Sequence, residues 1–93
     1  MTDEERLMLL KSDLQMLTSA NDVFLKSLIE TAKAAIQREG IILVENDIDI
    51  DMAVVQYAAY LFRKRAAADT AVPRFLRYRL NNIHFSQHSG GGS

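Results

Sequence analysis

The sequence predicts an all-α domain: a small bundle of about four helices with a long central apolar helix and a flexible C-terminal tail. Three observations carry this expectation. Apolar residues recur at three- and four-residue spacing along most of the 93 residues. Pro73 is the only proline, and Gly40 is the only glycine ahead of the Gly90-Gly91-Gly92 run, so little interrupts a helix. Ala, Leu, Met, Glu, Lys and Arg, all good helix formers, dominate the rest.

The first helix is expected over Asp3–Leu17, where Leu7, Leu10, Leu14 and Leu17 share one face. Thr2 or Asp3 can cap its start, and Glu4 and Glu5 suit the positive end of the helix dipole. Ser12-Asp13-Leu14-Gln15 also has capping-box spacing, which allows a break at Lys11–Ser12. Thr18-Ser19-Ala20-Asn21 then forms a polar turn before a second helix over Asp22–Arg38. Phe24, Leu25, Leu28, Ile29, Ala32, Ala35 and Ile36 make its apolar stripe. On its solvated side Glu30 can meet both Lys26 and Lys33. Gly40 supplies the left-handed residue that commonly closes a helix.

Ile41–Asp51 is the least helical stretch. Ile41 to Val44 can pair briefly as a strand or pack as an extended loop. The following Asp47, Asp49 and Asp51 have the alternate spacing of a calcium loop but lack its glycine and its closing glutamate. Asp47 or Asp49 capping a helix is the simpler reading. That third helix, over about Ile50–Ala67, has Gln56 as its only strongly polar residue between Met52 and Phe62. Such a helix must be covered on most sides. Each large side chain left in water forgoes roughly 1.5–3 kcal/mol, so a second copy of the chain is expected to supply part of the cover. Arg63-Lys64-Arg65 suits the negative end of this helix. Pro73 starts a short fourth helix reaching about Leu80, and residues 86–93 are expected to form a flexible Ser/Gly-rich tail behind a single domain spanning 1–85.

Net charge is −1 but unevenly spread. Through Met52 eleven acids face five bases; from Ala53 onward six bases face Asp69 alone. This polarity predicts that the basic half meets nucleic acid, a partner protein, or the acidic half of another copy. With no cysteine, a disulfide framework and thiolate chemistry are excluded, which suits a reducing compartment. No apolar run approaches the roughly 18–20 residues that span a bilayer. The start, Met1-Thr2-Asp3-Glu4-Glu5, is acidic where a secretory signal is basic.

An enzyme is not expected. The two histidines, His84 and His88, lie in or beside the expected tail, where no base would be held near a nucleophile. Gly40 alone makes no phosphate-cradling loop. No metal or cofactor is expected, since the His84/His88 pair has no carboxylate or cysteine beside it in sequence. A DNA-binding or regulatory protein is the alternative: Arg63, Lys64, Arg65, Arg74, Arg77 and Arg79 with Phe75 and Tyr78 make a phosphate-contacting patch. Against it stands a pI of about 6.1.

Four segments occur in a telling order: Leu10-Lys11-x-x-Leu14; Asp22-x-Phe24-Leu25-x-x-Leu28-Ile29-x-x-Ala32; Val55-x-Tyr57-Ala58-Ala59-x-Leu61-Phe62-x-x-Arg65; and Pro73-Arg74-x-Leu76-Arg77-x-x-Leu80-Asn81. Together they resemble the small head–tail connector (neck adaptor) proteins of tailed bacteriophages, over about Leu7–Phe85. The resemblance implies a helical subunit of a homo-oligomeric ring in the virion neck, assembled in the bacterial host cytoplasm. Its partners would be the portal protein and a tail or stopper protein, with packaged DNA passing through the channel without sequence-specific binding and no membrane involved. It implies no catalytic residues, and the positions after Leu80 would form an arm toward the portal. The sequence departs from the family in having no apolar anchor after Phe85. The residues expected at an intersubunit or portal interface are Tyr57, Tyr60, Arg63, Lys64, Arg65, Arg74, Arg77, Tyr78 and Phe85. A heterologous interface that closes into a ring needs two different surfaces, which a chain with acidic and basic halves can supply.

Overall fold

Thr2 begins the first helix with a complete capping box. The Glu5 N–H donates to Thr2 Oγ1 at 3.2 Å, and the Thr2 N–H donates to Glu5 Oε1 at 2.8 Å. In a computed structural model that describes residues 1–90, this helix is α1 (Asp3–Asp13), followed by α2 (Asp22–Arg38), α3 (Ile48–Ala66) and α4 (Arg74–Gly90). No strand occurs among the described residues, so Ile41 to Val44 form a loop. The fold is all-α, and none of these helices is long and apolar enough to cross a membrane.

α1 stops before the expected Leu17. Gln15 takes a left-handed conformation at φ 58°, and the N–H groups of Gln15 and Met16 donate to the carbonyls of Ser12 and Lys11. This is the Schellman pattern, which satisfies the last helical carbonyls and ends the helix. Leu17 consequently lies outside, 97% exposed. α2 keeps its expected bounds, although Asn21 at its start makes no side-chain capping bond. Lys33 meets Glu30 as expected, whereas Lys26 reaches Glu4 of α1 instead. Gly40 closes α2 at φ 90°, its N–H donating to the Gln37 carbonyl. α3 begins two residues early because Asp47 accepts from the N–H groups of Asp49 and Ile50.

α3 packs against all three other helices, and α1 also packs against α2. Ala53, Ala58 and Ala59 let the neighbours approach closely, and all three are buried. Most of the apolar circumference of α3 is covered within one chain, while Tyr57, Leu61 and Phe62 are left half-buried against the core. The molecule measures 47 × 30 × 18 Å.

The largest departure concerns α4. It does not stop near Leu80 but continues through Ser86 to Gly90, so the boundary expected at Phe85 runs through a helix. Gly91, Gly92 and Ser93, also expected in the tail, lie outside the described residues. The extension has a physical reason. Leu76, Leu80, Ile83 and Gln87 fall on one face; the two leucines are fully buried and Ile83 packs on the core. Gln87 then accepts from the Ile42 N–H through Oε1 and donates to the Ile42 carbonyl through Nε2, both at 2.8 Å.

Ion pairs tie α1 to the bundle. Arg6 reaches the buried Asp51 of α3 at 2.8 Å and Asp3 on its own helix, and Lys33 of α2 also holds Asp3. Partial burial pushes the Asp3 carboxyl pKa up, but hydrogen bonds from Lys33 and Arg6 outweigh it and hold Asp3 below its ordinary value. The Thr2 backbone and hydroxyl lower Glu5 likewise. A carboxylate with a depressed folded-state pKa contributes stability above its unfolded value, and that stability is lost as pH falls through the folded value. Urea midpoints are therefore expected to drop below about pH 4, and Asp3→Asn should flatten this acid limb while lowering the neutral-pH midpoint slightly. An unchanged acid limb in Asp3→Asn would remove the pair from the account.

Candidate interaction surface on the fourth helix

Phe75, Tyr78, Asn82 and Phe85 recur at three- and four-residue spacing, so the full length of α4 places them on one face. The opposite face carries Leu76 and Leu80 into the core, which fixes this one outward. Phe75, Tyr78 and Phe85 are 60%, 69% and 72% exposed. A groove of about 490 Å³ lies between this helix and the start of α3, and Asp47, Asp49, Phe75, Tyr78, Arg79 and Asn82 are among its lining residues. Arg79 reaches Asp49 across this groove at 3.1 Å. Arg74 stands exposed at the head of the aromatic face. A row of exposed aromatics with Arg74 at its head presents the side-chain types that carry much of the energy at protein interfaces.

The expected interface residues do not form one patch. Arg74, Tyr78 and Phe85 share the α4 face. Arg63, Lys64 and Arg65 are exposed at the far end of α3. Tyr60 is 6% exposed and belongs to the core, because the α3 face carrying it turns inward; Tyr57 is half-buried, its ring edge-on to Tyr60 at 5.8 Å. Lys64 lies 5.6 Å from the Tyr60 ring, and the Arg65 guanidinium lies over the Phe24 ring at 4.6 Å. Phe75, expected only in a phosphate-contacting patch with Tyr78, joins Arg74, Tyr78 and Phe85 on this face.

No protein-family model matches the chain, and no curated protein or solved structure matches it.

Much of the charge polarity is spent within the molecule. Arg63 pairs with Asp13 at 3.0 Å, Arg77 with Glu39, and Arg79 with Asp49, so the basic half folds against the acidic half. Asp47 caps α3, Asp49 faces Arg79 and Asp51 faces Arg6; the three aspartates diverge instead of surrounding an ion. His84 and His88 are held on α4, not in a tail, and both approach Gly40. The Gln87 and histidine contacts carry no local sequence signal, since their partners lie across the fold.

Proposed function

We propose that the protein is a structural, non-enzymatic subunit of a tailed-phage neck, a ring-forming adaptor between the portal and a tail or stopper protein. The supporting observation is the exposed aromatic face of α4, with Arg74 at its head, on a helix that runs well beyond Leu80. The segments that carry the resemblance support the reading less directly: Leu10, Leu25, Ile29, Ala32, Val55, Ala58, Ala59, Leu76 and Leu80 are buried and bear on fold. In this role α4 meets the portal or the next copy, apolar burial holds the ring, and exposed charges such as Arg74 steer its approach. Packaged DNA passes along the channel without base-specific contact. The alternative of a DNA-binding regulator is weakened by the in-chain pairing of Arg63, Arg77 and Arg79, which reduces the charge free to neutralise phosphates.

The test is co-sedimentation of the Tyr78→Ser/Phe85→Ser double variant with portal rings. Both side chains are exposed, so helical content by circular dichroism should be unchanged, while retention on the portal should fall by more than about tenfold. Arg74→Glu should slow association. Arg77→Glu is a poor probe, because it sets two carboxylates together at Glu39. Normal retention of the folded double variant would overturn the proposal.

A further inference from the structure

We propose that His84 and His88 form a site for one divalent transition ion of the zinc, nickel and copper class, with the Gly40 carbonyl as a third donor. The two side chains are four residues apart on α4, which places them on one helical face. Their ring centroids lie 4.2 Å apart at an interplanar angle of 30°. Both Nε2 atoms converge on Gly40: the place its absent Cβ would take is 3.2 Å from His84 Nε2 and 3.8 Å from His88 Nε2. The Gly40 carbonyl oxygen is 3.1 Å from His88 Nε2. Gly40 also has φ 90°, a conformation that residues other than glycine rarely adopt, and a Cβ there would crowd His84 Nε2, so only glycine lets the loop backbone come this close to both rings.

The donor set selects the ion. Imidazole nitrogen suits zinc, nickel and copper, whereas calcium and magnesium need several oxygens. An ion bound to both rings sits about 2.0–2.1 Å from each Nε2 and takes the place of the proton that His88 shares with Gly40. With the ion on Nε2, each ring carries its proton on Nδ1, and in His88 that proton moves there from Nε2. The framework is held in register beforehand, because the adjacent Gln87 fixes Ile42 through two hydrogen bonds. Binding would pin the end of α4 to the loop behind α2, independently of any role in a phage neck.

The experiment uses the full chain stripped of metal by a chelator. Calorimetric titration with zinc chloride is expected to show one ion per chain with a sub-millimolar dissociation constant. Sub-stoichiometric copper should broaden the amide resonances of residues 40–42 and 84–88 before any others. His84→Gln and His88→Gln are expected to weaken binding by about tenfold or more each, with helical content unchanged because both side chains are exposed. No saturable binding by the parent chain would overturn the site, as would unchanged affinity in both folded variants or broadening centred elsewhere.

Discussion

Leu80→Ala is expected to destabilise the protein by about 2–5 kcal/mol, the range for emptying a fully enclosed leucine site. Leu80 has no exposed surface, and with Leu76 it forms the buried anchor of α4. The loss combines the transfer free energy of the removed atoms with the cavity left between α3 and α4, which two packed helices cannot fully close. Chemical denaturation should show a lower midpoint with an unchanged slope if folding remains a single cooperative step. Leu61→Ala should cost clearly less, since Leu61 is only half-buried. A loss below about 1 kcal/mol at Leu80 would mean that α4 is not part of the cooperative core.

Arg6→Met is expected to cost about 3 kcal/mol, because it strips a guanidinium from a carboxylate that is 3% exposed. This is the lower end of the range for breaking a buried pair. The Met1 amino group stays 3.4 Å from the other oxygen of Asp51 and softens the loss. Most of the deficit should return in the Arg6→Met/Asp51→Leu double variant, since a matched apolar pair needs no charge partner. Denaturation of the two singles and the double closes the cycle. A double variant no better than the sum of the singles would show that Arg6 acts through packing of its stem.

What could be read in advance was what neighbouring residues decide among themselves. Asp47 capping α3, the stripe of α2 and the left-handed Gly40 depend on a few adjacent positions, and each was legible from spacing and residue type. Leu17 was misplaced because Gln15 adopts a left-handed conformation that its own chemistry does not announce. Residues 86–90 read as tail because serine and glycine are weak helix formers, while the Ile42 backbone that holds Gln87 is remote in sequence. Tyr60 read as surface for a related reason: a helix apolar on nearly every side does not reveal which face its own chain will cover. The charge split was plain in the sequence, but its partners Asp13, Glu39 and Asp49 emerge only when the halves fold together. On the candidate face, Arg74, Tyr78 and Phe85 were found in advance as interface residues, whereas Phe75 was read only beside Tyr78 in a phosphate-contacting patch.

The Gln87–Ile42 bracket also orders events in time. It joins positions 45 residues apart and lies at an exposed edge, so its closure gains little buried area of its own. Contacts of such sequence separation form only after nearer ones have shortened the path between their ends. The last turns of α4 are therefore expected to lock after α3 has docked on α2 and Leu76 and Leu80 have seated, and amide hydrogen exchange should find them less protected than the turns around Leu76 and Leu80. Phe85 is carried by those turns, on the same face as Phe75 and Tyr78. A chain in which those turns are still unformed would display a shorter aromatic row.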